Sequence, residues 1–367
     1  MVRELFPDSQ ILPCVAMERT AGSRIRGKLA VAGTTDDPHI GFFGASQQFT
    51  PVDQCPLHHP LINQFGALLP RLIRDYRLTP YEPSTDSGEL KFVVVTCSPA
   101  PGSSSSGLVS AGTHSAGELM VQFVLRSKEA VDRIRKGWLA GDLNRGCPVT
   151  VVSVSIQSER SSKISGEIDI PISEQIWLPL RFDDVELLYG PGSFLQTNYE
   201  MAGHLYRAAR TLLIQHQAAS VLDLYCGAGA FSLAAAPATV TTLGVDVSAE
   251  AIAAATESAR RIHRSAARFQ CRNLGTATDV DLQSTGFDAV VCNPPRRGLD
   301  GASLHWIRAA RPRLLLYSSC NVLTLKRDAD LLAADFRVVR MQAFDMFPWT
   351  SHFEVLALME STRGNRK

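Results

Sequence analysis

A short apolar strand that breaks on paired glycines restricts the second half of this chain to a narrow set of folds. VLDLYC at residues 221–226 runs directly into Gly227-Ala228-Gly229, and the helical-looking FSLAAA follows. Glycine has no Cβ, so a backbone can turn sharply there and approach a ligand closely. The same rhythm then repeats. TVTTLGVDV at 239–247 reads as a second strand, and Ser248 with Glu250 and Glu257 in SAEAIAAATESARRIH reads as a capped helix. FDAVVC, RLLLYS, FRVVRMQAF and HFEVLALM continue as strands, with helical stretches between most of them. Such alternation implies an α/β fold, a doubly wound Rossmann-like sheet whose ligand crevice lies at the carboxyl ends of its strands.

The first half follows another pattern. GELKFVVVTCS, GELMVQFVLRS and VTVVSVSIQS are β-rich strings, joined by the helical stretches LINQFGALLPRLIRDY and SKEAVDRIRKGW. They predict an α+β domain with an antiparallel sheet, in which the two GEL strings are neighbouring hairpin strands. Between those strings, SPAPGSSSSGLVSAGTHSAG is too rich in Gly and Ser to supply a core and is expected to be a mobile hairpin excursion. A chain of 367 residues exceeds what one core usually organises. The change of rhythm therefore predicts an α+β domain over 1–190 and the Rossmann-like domain over 191–367.

Composition removes several classes of function. Hydrophobic residues at 45% and charged residues at 20% exclude disorder, collagen and a coiled coil. With 37 basic and 36 acidic residues the net charge is +1, so any nucleic-acid binding must come from local patches and a shaped pocket. No uninterrupted apolar run approaches the ~18 residues of a membrane span, and the opening MVRELFPDSQ lacks the apolar run of a secretory signal. A cytoplasmic protein without a membrane partner is expected. The eight cysteines are scattered and never spaced as CxxC, which argues against a disulfide framework. Cys55 with His58 and His59 is a weak zinc pattern; a loop with incidental histidines is the better reading, and no metal site is expected.

Three features converge on a cofactor. The glycine turn is the first, Asp246 at the end of the next strand is the second, and Asn293-Pro294-Pro295-Arg296 after FDAVVC is the third. A carboxylate at the position of Asp246 can accept hydrogen bonds from two ribose hydroxyls, and the prolines hold an extended corner from which Asn293 can reach the crevice. Each alone reads equally well as an ordinary turn. In this order they favour S-adenosylmethionine over a nicotinamide dinucleotide, whose fingerprint needs a third glycine.

The reacting groups are legible at the same edge. RLLLYSSCN places Cys320 directly after a strand, where a thiolate suits addition to an electron-poor ring carbon and an inert sulfur is the other reading. Glu354 precedes the apolar run VLALM, either as a solvated end residue or as a base whose pKa is raised by partial desolvation. The aromatics of AFDMFPWTSHF pack a core or wall a pocket for a flat base.

GSFLQTN at 192–198, DLYCGAGAF, VDVSAEAI, NPPRRG, SSCN and FDMFPWTSHFEVL, in that order, resemble the RNA uracil-C5 methyltransferase family. The resemblance is closest to the short bacterial branch that methylates a uridine in large-subunit (23S) ribosomal RNA. SSCN with HFEVL is far more specific than the glycine turn, and the N-terminal half matches more thinly, through RIRGK at 24–28, Gly41-Phe42-Phe43, Cys55-Pro56-Leu57, LTPY and GELKF. The resemblance implies an S-adenosylmethionine-dependent enzyme in which Gln196, Tyr225, Gly227, Asp246 and Asn293 hold the cofactor. Cys320 would add to C6 of uracil, Glu354 would remove the C5 proton, and Phe194 would stack on the extruded base. Arg296, next to the active-site corner, is the best candidate for an RNA contact. The clusters Arg24, Arg26, Lys28 and Arg363, Arg366, Lys367 are weaker ones.

Two departures qualify the match. Members of this branch usually hold an iron–sulfur cluster on four cysteines, three of them preceding the Cys-Pro-Leu motif. Here only Cys14 lies upstream of Cys55, so no cluster is expected. Much of the family has Asp where this chain has Asn293, a change the ribosomal branch tolerates. A transfer RNA substrate, an adenine amino-methyltransferase that needs no thiol, and an inactive RNA-binding factor remain the alternatives. A monomer acting on RNA is the expected assembly.

Overall fold

The structure is a computed structural model that describes residues 1–18, 20–44, 48–100, 117–159, 166–273 and 286–362. Of the expected excursion, residues 101–116 lie outside the described residues, as does the basic cluster at 363–367. The chain forms two compact units, one of Arg19–Leu180 with Tyr189–Gly192, the other of Met1–Glu18, Arg181–Leu188 and Ser193–Lys367. A single cut at residue 190 therefore misses the first eighteen residues, which belong with the C-terminal unit.

The chain opens with a short helix α1 (Val2–Leu5) and strand β1 (Gln10–Ile11), then enters the first unit. Its strands are β2 (Arg26–Gly33), β3 (Pro38–Phe43), β4 (Phe49–Pro51), β5 (Leu90–Pro99), β6 (Gly117–Leu125), β7 (Val149–Ile156) and β8 (Ile168–Pro171), in the sheet order β4-β3-β2-β5-β6-β7-β8. Helix α2 (Pro60–Asp75) follows β4, and α3 (Val131–Leu139) follows β6. The two GEL strings are antiparallel neighbours, β5 and β6. The sheet is not wholly antiparallel, however: β6 and β7 run parallel, because α3 carries the chain back across the sheet between them.

The histidines near Cys55 have structural work in this unit. His59 caps α2, its Nδ1 accepting from the Leu61 amide at 3.3 Å, and the same nitrogen lies 3.2 Å from the Cys97 sulfur. Burial pushes both His58 and His59 down to about 4, and a nearby Arg24 adds to the effect at His58.

A hairpin, β9 (Leu178–Phe182) and β10 (Val185–Tyr189), leads to α4 (Tyr199–Gln215) and the second unit. There β11 (Ser220–Leu224), β12 (Thr241–Asp246), β13 (Ala267–Cys271), β14 (Ala289–Cys292), β15 (Leu314–Ser319), β16 (Phe336–Phe344) and β17 (Glu354–Ser361) join β1 in the order β1-β16-β17-β15-β14-β11-β12-β13. Helices α5 (Ala249–Arg261), α6 (Gly301–Ala310) and α7 (Val322–Leu331) alternate with them. FSLAAA makes only a single wide helical turn, Phe231–Ala235. Ser248 caps α5 as expected, accepting from the Ala251 amide at 3.2 Å.

All pairs from β13 across to β15 are parallel, while β17 inserts antiparallel between β15 and β16. That insertion matters for the site, because it turns the start of one strand toward the carboxyl ends of the others. β1 pairs with β16 in parallel, and Phe6 packs into the core around Trp306 and Tyr317. This pairing and burial explain why the N-terminal segment joins the second unit.

Candidate active site

Parallel strands end together, so the residues just past β11, β12, β14 and β15 share one edge of the sheet. Tyr225 and Gly227 follow β11, Asp246 closes β12, Asn293 follows β14 and Cys320 follows β15. The backbone at the first of these turns is left-handed at Tyr225 (φ 61°), Gly227 (φ 52°) and Gly229 (φ 81°). A Cβ built on Gly227 meets nothing within 4 Å, so open space lies over the turn. Asp246 fixes its shape, accepting from the Gly227 amide on Oδ2 and the Ser248 amide on Oδ1, both at 2.9 Å. The Tyr225 hydroxyl is engaged at 2.5 Å by Ser303 in α6, which leaves its ring and backbone as its contribution at this edge.

Asp223, one strand position before Leu224, had no role assigned from sequence. It is fully buried; its Oδ2 accepts from the Ser232 hydroxyl (2.7 Å) and amide (3.0 Å), while its Oδ1 has no partner among the described residues. Burial raises its carboxyl to about 7, Ser232 opposes that shift, and Asp246 adds to it. Two carboxylates beneath an open glycine turn suit a ligand that brings cationic and hydroxyl groups. The chain thus fits a sulfonium nucleoside of the S-adenosylmethionine type.

Cys320 sits between β15 and α7, half-buried, on a cavity of about 260 Å³ that Arg296, Leu323, His352 and Phe353 also line. Asn321 caps α7 through Leu323 (3.1 Å) and reaches back to the Arg296 carbonyl at 3.4 Å, tying the two turns together. Burial pushes the Cys320 thiol up and the Glu354 carboxylate pushes further, while Arg296, hydrogen-bonded to the sulfur, pulls it down. The guanidinium is therefore the group that favours thiolate here.

Glu354 opens β17 directly beside the end of β15, where Ser319 pairs with Val355. It is only 1% exposed and accepts from the Ser318 hydroxyl at 2.5 Å. Burial raises its carboxyl to about 7, with the Ser318 bond opposing. Glu354 is not among the residues that line the Cys320 cavity, but it is close enough for its charge to shift the thiol.

The remaining candidates come from the loop ahead of α4. Gln196 is buried and Phe194 is 65% exposed. Asn198 caps α4 through the Met201 amide (3.2 Å), and its amide group donates to the Met346 carbonyl at 3.3 Å, binding this loop to the one between β16 and β17. Sequence reasoning also passed over Asp328, which has no exposed surface. It accepts from the Leu299 amide and the Tyr317 hydroxyl, each at 2.7 Å, and from Arg327 on its other oxygen. Arg327 in turn donates to the Arg297 carbonyl at 2.9 Å, so the pair staples the segment that carries Arg296. Only the burial of an acidic residue inside a helix could have flagged it, and burial is not visible in one sequence.

In the other unit, Arg26 donates to the Pro191 carbonyl and Lys28 lies 3.7 Å over the Phe92 ring, so two members of that basic cluster are already engaged. Among the described residues no group of three or more His, Cys, Asp or Glu is placed to hold a metal ion, and no helix is long and apolar enough to cross a membrane. Cys14 and Cys55 are two cysteines where an iron–sulfur cluster needs four ligands, so the chain does not fit that group.

Residues 173–362 match the family model described as tRNA (Uracil-5-)-methyltransferase. The chain belongs to the uracil-5-methyltransferase family. It is an RNA (uracil-5-)-methyltransferase with a Rossmann-like catalytic fold. Among its relatives, the 23S rRNA (uracil(747)-C(5))-methyltransferase RlmC of Yersinia pseudotuberculosis serotype O:1b (strain IP 31758) is 36% identical over 349 residues, covering 94% of this chain and 87% of that one. The enzyme of the same name from Yersinia pestis (strain Pestoides F) is 35% identical over the same span. Pyrococcus abyssi tRNA (uracil-54, C5)-methyltransferase, solved in complex with S-adenosyl-L-homocysteine, superposes with a TM-score of 0.76. It is 25% identical, and the match covers 98% of this chain and 80% of that one.

Proposed function

We propose that this uracil-5-methyltransferase modifies C5 of a uridine in 23S ribosomal RNA, using S-adenosylmethionine. The identity to the 23S rRNA enzymes, 36% against 25% for the tRNA enzyme of known structure, favours ribosomal over transfer RNA. Gln196, Tyr225, Gly227, Asp246 and Asn293 hold the cofactor, with Asp246 accepting from the ribose hydroxyls. When bound, S-adenosylmethionine supplies an electrophilic methyl group.

Neither a thiol nor a methyl donor can reach both ring carbons of a stacked base, so the uridine leaves its helix and Phe194 stacks on it. Cys320 gives up its proton to solvent and its sulfur bonds to C6, which moves the C5–C6 electron pair onto C5 and the C4 carbonyl as an enolate. C5, now nucleophilic, would take the methyl group as its bond to the sulfonium sulfur breaks, the bonding pair staying with the departing S-adenosylhomocysteine. Glu354 removes the C5 proton, the electron pair re-forms the C5–C6 double bond, and the thiolate leaves. Arg296 favours the thiolate at the start and at the end. All these residues come from one chain, so the reading is complete in a cytoplasmic monomer; the unit of Arg19–Leu180 serves as the RNA-binding domain.

The observation that carries this reading is the juxtaposition of Cys320 and Glu354 at neighbouring strand ends, with burial holding the glutamate acidity near neutrality. A base of that acidity is matched to proton abstraction at physiological pH. The test is incubation with cofactor and a 5-fluorouridine-substituted hairpin of 23S rRNA spanning nucleotide 747. Fluorine at C5 cannot leave as a proton, so a covalent protein–RNA adduct is expected, and it disappears in Cys320→Ala. A transfer RNA that is trapped in place of the ribosomal hairpin would overturn the substrate assignment, and no adduct with any RNA would overturn the mechanism.

A further inference from the structure

Resting on that reading, we propose that Trp349 is an RNA-binding residue that stacks on an unpaired nucleobase next to the target uridine. Between β16 and β17 the chain makes a hydrogen-bonded turn, Phe347-Pro348-Trp349-Thr350, closed from the Thr350 amide to the Phe347 carbonyl at 3.3 Å. Proline at the second position and a positive φ at the third, 65° at Trp349, are the signature of a type II turn. The third position of such a turn is a glycine or asparagine position, since a side chain there crowds its own backbone. This chain puts its largest side chain there.

The turn is not left loose to relieve that strain. The Thr350 hydroxyl donates to the Phe347 carbonyl at 2.7 Å and accepts from the His352 amide at 3.1 Å, so the loop is braced on both sides of the tryptophan. The ring gains no burial in return: Trp349 is 82% exposed. A large aromatic held out to solvent on a strained, braced turn has no role in the core that would explain it.

Its place in the chain indicates the partner. Two residues on, Ser351, His352 and Phe353 line the cavity that holds Cys320, and the same cavity is walled by Arg296 and by Leu323, itself 62% exposed. An extruded uridine entering this cavity leaves its neighbours unstacked at the rim, each with a bare π-face. A rigid indole presents a matching face of sequence-tolerant chemistry, and the Arg296 guanidinium on the cavity wall matches a phosphate of the same strand. The occupant is therefore a nucleobase of the same RNA strand.

Binding and stability should move in opposite directions, which a merely structural residue would not allow. In a Cys320→Ala background, Trp349→Gly should raise Kd for a fluorescein-labelled uridine-loop hairpin about five- to 150-fold, the range for losing one base–aromatic stack. The same substitution should raise Tm, because glycine relieves the positive φ. Trp349→Phe should retain most of the affinity. Abasic substitution of one loop nucleotide beside the target should weaken binding to the Trp349 protein and cost little further in Trp349→Gly. Equal hairpin affinity of the glycine variant and its parent, or additive losses at every abasic position, would overturn the inference while leaving 5-fluorouridine trapping intact. If no RNA binds the parent protein, the methyltransferase reading falls first and this one with it.

Discussion

Replacing Glu354 by glutamine separates what the residue does for the fold from what it does for the reaction. The side chain is almost fully buried, and folding lifts its pKa from 4.5 to about 7 because the charged form loses its water. A carboxyl with a raised folded-state pKa favours the fold while it is protonated. Its contribution is therefore complete below pH 4.5 and is lost as pH rises through 7. At 1.36 kcal/mol per unit, the loss amounts to about 3 kcal/mol at pH 8. Glutamine is nearly isosteric and keeps a carbonyl for the Ser318 hydroxyl, but it never ionises. Glu354→Gln should thus match the parent in urea unfolding at pH 4.5 and exceed it by about 3 kcal/mol at pH 8.

On the proposed mechanism the same variant should lose turnover, because no base would remove the C5 proton once the methyl group is in place. An ordinary RNA hairpin, without fluorine, should then remain covalently bound to Cys320 and be visible as a retarded band on a denaturing gel. A stability difference that does not grow between pH 4.5 and pH 8 would refute the buried-charge argument. A variant that still releases methylated RNA at the parent rate would refute the role of the base.

Ser318→Ala removes the one hydrogen bond that opposes the rise at Glu354, so the acid limb of the pH–rate profile should move up by about one to two units, since a bond to a charged group is worth about 1.5–3 kcal/mol; an unmoved limb in single-turnover tritium release from 5-tritiated uridine RNA would count against it. Asp328→Ala strands the Tyr317 hydroxyl and the Leu299 amide in the core, which should cost about 2–5 kcal/mol in urea unfolding and accelerate hydrogen exchange at Leu299. Asp246→Ala removes the brace on the Gly227 turn together with the proposed ribose acceptor, and binding of S-adenosylhomocysteine measured by calorimetry should weaken at least tenfold; an unchanged affinity would place the cofactor elsewhere.

Local sequence was enough to specify the turn after β11, the cap at Ser248, and the strand ends that carry Asp246, Asn293 and Cys320. These rest on interactions between residues close in the chain: a glycine without a Cβ, a serine oxygen over the next turn of helix, an apolar run that stops. Periodicity also separated a β-rich first half from an alternating second half. It could not say that β6 and β7 run parallel, nor that Met1–Glu18 returns to pair with β16, because pairing between distant strands is decided by which faces find burial together.

The acidity of Glu354 belongs wholly to the second kind of fact. HFEVLALM marks a carboxylate beside an apolar strand, and the motif resemblance names it a base. Only the antiparallel insertion of β17 between β15 and β16 buries that carboxylate, sets it next to Ser318 and brings it within electrostatic reach of Cys320. Asp328 and Ser318, which set the working geometry of Arg296 and Glu354, carry no local signature at all. The residue types of the proposed chemistry are written in the chain, whereas dielectric surroundings and hydrogen-bond partners arise only when segments far apart in sequence exclude water from the same place.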